Sequence, residues 1–254
     1  MKKITQICTI ILIAFFLSCT SDSNNEEDMN DPVDPSTELL LKRTVTQDDS
    51  GDDYIINYLY NGNKLIGYNE SDTFNVTYTY ENELLVRIDA YIGNIQETYT
   101  TITYGADNIL TEYTIYYVLG NVDSATRHVL TYLPNNQIST KSYRGTHSTQ
   151  NVYISESIDT FSNGNWTKRF SVDYGDEEVF LYDTKNGTLK NIHLAFIFQL
   201  LGEPGEGATN NPVALYNGET RLEYVYNAND YPVSSLGYEE GNNLPVTSTQ
   251  YFYE

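Results

Sequence analysis

The chain has 254 residues with 35 Asp and Glu against 14 Lys and Arg, a formal net charge of −21. So acidic a surface repels phosphates and anionic lipid head groups, which argues against nucleic acid as a ligand. Neutral glycans, cations and basic proteins remain open as partners.

The N-terminus opens with Lys2 and Lys3, followed by an apolar run from Ile7 to Leu17 of about 11 residues. A helix that crosses a bilayer needs about 20. The run is too short to span, and it suits a signal peptide. Ser18-Cys19 at its end resembles a lipobox, the cleavage site of bacterial lipoproteins. That resemblance implies removal of residues 1–18 and acylation of Cys19, which several acyl chains would hold firmly to a membrane. An ordinary secretory signal is the alternative. The chain has two cysteines, Cys8 and Cys19. Once Cys8 leaves with the signal, the mature chain has no intrachain disulfide and relies on its own core.

Residues 19–38 carry Asp22, Glu26, Glu27, Asp28, Asp31 and Asp34, with Pro32 and Pro35 and no basic residue before Lys42. The composition reads as a disordered, solvated tether. "SDSNNEED" directly after Cys19 resembles the acidic export signal of lipoproteins on the outer face of the outer membrane. The expected location is the outer membrane, lipid-anchored and facing the cell exterior.

Residues 39–254 contain a repeat. Tyr60, Tyr80, Tyr104, Tyr132, Phe161, Tyr182 and Tyr226 each precede a cluster of Asn, Asp or Gly and then an apolar residue. Spacings of roughly 20 to 29 residues hold as far as Tyr182, and the last gap is about one unit too long. Phe74, Val76, Tyr78 and Tyr80 alternate with Asn75, Thr77, Thr79 and Glu81, the period of a half-buried strand. Asn61-Gly62, Asn163-Gly164 and Asn186-Gly187 offer the positive φ angles that tight hairpin turns need. The expected fold is all-β: a long antiparallel meander of roughly 12 to 16 strands in repeated hairpins. The chain's 24 tyrosines suit rings that pack while their hydroxyls reach a partner.

The insert "LKNIHLAFIFQLLGEPGEGATNNP" fills the long gap. Ile192 to Leu201 is apolar on nearly every side, so the spacing predicts one short buried helix over about 190–201, with Gly202 at its C-cap. The sheet is expected to close over Ile192, Phe196, Ile197 and Leu200. "GEPGEG" reads as a mobile loop whose Glu203 and Glu206 would repel a phosphate.

The hairpin unit resembles the YD (Rhs-type) repeat, in which Tyr-x-Tyr-Asp precedes a Gly-Arg-Leu turn. Asn61, Glu81 and Asn227 stand at the Asp position, Leu65 and Leu85 at the Leu position, and Tyr182-Asp183 keeps the Tyr-Asp pair. The Gly-Arg is missing, so the copies are degenerate. The resemblance covers residues 54–254 and extends to bacterial surface lipoproteins with YD-like hairpins. It implies that the meander curls into a rolled sheet, a β-scaffold, and it implies no catalytic residues.

Chemistry is sparse. The sequence has no nucleophile elbow, zinc-protease motif, phosphate-binding loop or dinucleotide fingerprint. His128, His147 and His193 are scattered and read as packing residues, with His193 inside the helix. Asp48, Asp49, Asp52 and Asp53 offer hard oxygen ligands, yet EF-hand spacing is absent. An exposed acidic loop is the plainer reading, and calcium is left open. The expected function is a non-catalytic cell-surface lipoprotein, not an enzyme and without cofactor, serving binding or envelope structure. The alternatives are a glycan-capture lipoprotein beside an outer-membrane transporter, using exposed rings such as Trp166, and a hydrolase with an unrecognised carboxylate pair. The partners follow: a membrane through Cys19, and a polysaccharide or an outer-membrane transporter.

Overall fold

The structure is a computed structural model and describes residues 39–48, 51, 53–70 and 73–254. Cys19, the signal and the tether lie outside the described residues, as do Asp49 and Asp52.

Strand β1 (Leu41–Asp48) is followed by hairpins β2 (Asp53–Asn61) with β3 (Lys64–Glu70), β4 (Phe74–Glu81) with β5 (Leu84–Ile92), and β6 (Ile95–Tyr104) with β7 (Leu110–Tyr117). Then come β8 (Ser124–Leu133) with β9 (Gln137–Gly145) and β10 (Gln150–Ser162) with β11 (Asn165–Ser171). The last third holds β12 (Asp176–Val179), β13 (Leu181–Tyr182), β14 (Pro212–Leu215), β15 (Thr220–Tyr226) with β16 (Pro232–Glu239), and β17 (Thr247–Tyr253). All lie in one 17-stranded sheet. The strands are antiparallel to their neighbours, and β1 pairs with both β2 and β17. Strands β12 and β13 are halves of one strand broken at Phe180, whose N–H donates to the Thr167 carbonyl at 3.0 Å. One half pairs with β11 and the other with β14. The meander therefore rolls into a nearly closed barrel, the curl that the repeat resemblance implies, with one strand more than the roughly 12 to 16 expected.

Most repeats carry a device at one end of the barrel. Pairing slips by one residue just before the anchor aromatic, at Leu59/Tyr60, Thr79/Tyr80, Thr103/Tyr104, Thr160/Phe161 and Val225/Tyr226. Such a bulge re-aims a side chain. It sets Tyr60 opposite Leu65, Tyr80 opposite Leu85, Tyr104 opposite Leu110 and Phe161 opposite Trp166. Tyr132 faces Ile138 without a slip. The partners Leu65, Leu85, Leu110, Ile138 and Trp166 are all buried. At the turns, Gly62, Asn163 and Gly164 take positive φ as expected. Gly187 does not. It sits in the insert, and a Cβ there would strike the Ala208 carbonyl, so close approach of backbone is what requires glycine.

The insert joins β13 to β14 and closes this end. Helix α1 (Ala195–Leu201) is shorter than the 190–201 expected, because residues 188–194 make a run of turns ending at Leu194 in the left-handed region (φ 60°). His193 thus precedes the helix. Its N–H donates to the Asn63 carbonyl at 2.8 Å, and its Nε2 lies 2.7 Å from the Glu83 carbonyl oxygen, so it clips the insert to two hairpin turns. Ile192, Ile197 and Phe198 join Leu65, Leu85, Ile102, Leu110, Leu130 and Phe180 in one core. Phe198 is 5 % exposed and Phe196 is 38 % exposed. The burial expected of Phe196 falls to Phe198, since a seven-residue helix turns only one face to the core. Phe196 packs edge-on to Phe161 at the rim.

The barrel's outer face mixes charged pairs with exposed apolar side chains such as Leu59 and Val225. Arg43 stacks on Phe252, Arg87 on Tyr99, Arg127 on Tyr143 and Arg221 on Tyr238, each 4.3 to 5.2 Å from the ring centroid. Ion pairs Lys168–Glu177 and Arg127–Glu112 share that face. A transmembrane barrel instead presents an apolar band about 25 Å tall to lipid. Among the described residues no helix is long and apolar enough to cross a membrane.

Candidate ligand chamber

Inward positions on β2 to β5 carry large side chains. Tyr58, Tyr68 and Tyr78 form a wall with ring centroids 6.2 and 6.4 Å apart, and Phe198 meets Tyr78 edge-on at 5.3 Å. On β8 to β11 the inward rows hold small hydroxylated residues. Ser142 pairs with His128 and Ser155, and Ser157 pairs with Thr140 and Ser171. Where tyrosines fill space on one side, serines leave it open on the other. The result is a chamber of about 350 Å³ lined by Tyr113, His128, Ser142, Ser157, Asp159 and Arg169, among others. Gln199 and Leu200 of α1 roof it, and Tyr174, 84 % exposed, stands in the turn after β11.

Two fixed pairs mark the chamber. Arg169 donates from Nε to Asp159 Oδ1 at 3.0 Å, and its guanidinium lies 4.1 Å over the Trp166 ring. Burial pushes the Asp159 carboxyl up, and Arg169 opposes that shift. His128 stacks on Tyr113 with centroids 4.4 Å apart, and its Nδ1 lies 2.9 Å from Ser142 Oγ. Burial holds His128 down at about 4, so it is neutral at pH 7. The same cause pushes the Tyr113 hydroxyl up to about 12.

The roof is locked by a buried glutamine. Gln199, 1 % exposed, accepts from the Trp166 N–H at 3.1 Å and donates to the Gly164 and Gly207 carbonyls at 2.9 and 3.0 Å. The "GEPGEG" segment is packed rather than free. Pro204 and Gly207 are buried, and Glu203 accepts from the Tyr216 hydroxyl at 3.0 Å. Solvent reaches Glu206, yet surrounding protein and then Glu203 lift its carboxyl to about 7. Its charge acts on Tyr58, Tyr68 and Tyr78, which places it toward the tyrosine wall.

The sequence-level candidates fare unevenly. Trp166 is 3 % exposed, so it is no surface platform for a ligand. It is the anchor of a hairpin, opposite Phe161. Asp53 begins β2 and accepts from Gln47 Nε2 at 3.3 Å, while Asp48 ends β1. Among the described residues no three His, Cys, Asp or Glu side chains converge on a metal position. His147 lies in the β9–β10 turn, its N–H donating to Asp123 Oδ1 at 2.7 Å. Asp159, Arg169 and the serine rows escaped the sequence reading. Their one signal was inward-parity polar residues at positions where other repeats are aromatic.

No protein-family model matches the chain, and no curated protein matches it. Among solved structures it is similar to a porin-like protein from Bacteroides uniformis, with 14 % identity, a TM-score of 0.35, and coverage of 84 % of this chain and 96 % of that one.

Proposed function

We propose that this chain is a non-catalytic, lipid-anchored protein of the outer membrane, facing the cell exterior, whose barrel holds a small ligand. The chamber carries the reading: a water-reachable space with fixed polar groups on the inward face of β8 to β11, beneath α1. Pockets of this size range and mixture are where small molecules bind. The N-terminal run ending at Cys19 and the charged outer face support a barrel that stands in water on a lipid tether.

The Ser142–His128 contact gives a hydrolase reading its one foothold. Yet a histidine held at about 4 is a weak base toward a serine hydroxyl at neutral pH. Binding without turnover is the stronger reading.

Native mass spectrometry of the full chain, extracted from its own envelope, tests it. Wild type is expected to carry acyl chains at Cys19 and a bound small molecule. Ser157→Leu, which fills the chamber, should lose the small molecule, and Cys19→Ala should leave the membrane fraction. The same adduct on wild type and Ser157→Leu, or no adduct on wild type, would overturn the ligand reading. A chain without acyl mass that stays membrane-bound when Cys19 is replaced would overturn the anchor.

A further inference from the structure

The charge and lining of the chamber narrow its occupant. Arg169 and Asp159 cancel each other at 3.0 Å, and His128 packs face to face on Tyr113. Glu156, also on the lining, is paired with Lys141 at 3.7 Å and accepts from the Ser139 hydroxyl at 2.7 Å, so an ammonium ligand finds no uncompensated carboxylate there. A polyanion meets a chain of net charge −21. A wholly apolar ligand would strip water from the hydroxyls of Ser155, Ser157 and Ser171 with nothing in exchange, and unpaired buried hydroxyls cost free energy. What remains is a neutral molecule bearing several hydroxyls.

The shape of the fixed groups adds to this. The Arg169 guanidinium is gripped at Nε by Asp159 and faced by Trp166, and its side chain is still 38 % exposed. A planar fork held this way is preorganised to donate to adjacent oxygens at little entropic cost. Tyr174, on the chamber's lining and largely exposed, offers a flat apolar face. We infer that the chamber binds one neutral sugar ring, its hydroxyls bridged by the serine rows and Arg169, with Tyr174 stacked on the ring face. This rests on the ligand-binding reading above and names the ligand class.

The chain contains one tryptophan, Trp166, in contact with Arg169. Its emission reports on the chamber directly. The full chain, in a detergent without a sugar head group, is titrated with glucose, galactose, glucuronate and the open-chain polyol sorbitol. A saturable shift with at least one neutral hexose is expected, together with weaker binding of glucuronate and none of sorbitol. Arg169→Lys keeps a cation beside Asp159 but loses the fork, and should weaken hexose binding about tenfold. Ser157→Leu should abolish binding, and its melting temperature checks that the barrel is intact. Sorbitol binding as tightly as the hexose, or glucuronate binding more tightly, overturns the neutral-ring assignment. Silence toward both hexoses also overturns it, while a small-molecule mass lost in Ser157→Leu would still uphold the ligand-binding chamber.

Discussion

The Tyr80 hydroxyl donates to the Leu65 carbonyl at 2.8 Å, just where the main-chain ladder between their strands has run out. Pairing of β3 with β4 ends at Gly67–Thr77, so the Leu65 carbonyl has lost its place in the sheet. Buried carbonyls need a partner, and the tyrosine supplies one. Tyr60 does the same for Leu41 at 2.8 Å, and Tyr104 for Leu85 at 2.9 Å. The anchor tyrosine of one hairpin thus ties down the apolar anchor of the strand before it. The repeat is conserved along the chain as a joint between neighbours, consistent with the nearest-neighbour logic of repeat arrays.

Tyr80→Phe keeps the ring and deletes that joint. Chemical denaturation should show a loss of about 1 kcal/mol, the net value of one such bond. A midpoint equal to wild type would mean that water serves the Leu65 carbonyl as well as Tyr80 does.

The two phenylalanines of α1 should separate cleanly. Phe198→Ala is expected to cost about 3 to 5 kcal/mol by leaving a core cavity, and Phe196→Ala far less, because Phe196 is half-exposed. Thermal melts of both variants check this, and the reverse order would place the other face of α1 in the core.

Gln199→Leu preserves volume but strands the Trp166 backbone N–H and the Gly207 carbonyl, while the Gly164 carbonyl keeps the Thr209 N–H at 3.3 Å. Each buried orphan costs about 1 to 3 kcal/mol. Hydrogen exchange of residues 195–207 should speed up well before global unfolding, since the roof loses its fastening while the strands keep theirs. Uniform protection across the chain would count against a locking role.

Stability should respond to pH through two opposed groups. Glu206 sits at about 7 in the fold against an ordinary value of 4.5. The folded state keeps a proton that the unfolded chain releases, so this contribution is full below 4.5 and is lost as pH rises through 7. His128 sits at about 4 against 6.5. Its contribution is full above 6.5 and is lost as pH falls through 4. Glu206→Gln should therefore melt above wild type at pH 8 and meet it near pH 4. Parallel curves across that range would falsify the raised value.

Much of the architecture was legible in the residues. Alternation at Phe74 to Tyr80 gave strands, Asn-Gly pairs at 61–62 and 163–164 gave turns, and the anchor aromatics gave the hairpin period. These are local signals, because strand parity and positive φ depend on a residue and its immediate neighbours. The break at Tyr182 located the insert for the same reason. Closure into a barrel, the slip before most anchors, and the choice of Phe198 over Phe196 were decided elsewhere. They depend on which strand edge meets which, and on how far a helix can rotate against a curved sheet. The chamber belongs to that second group. Ser142, Ser155, Ser157 and Ser171 are ordinary polar strand residues in one dimension. Only the rolled sheet turns them inward, opposite a wall of tyrosines, and brings Arg169 and Asp159 together beneath a helix from a later segment of the chain.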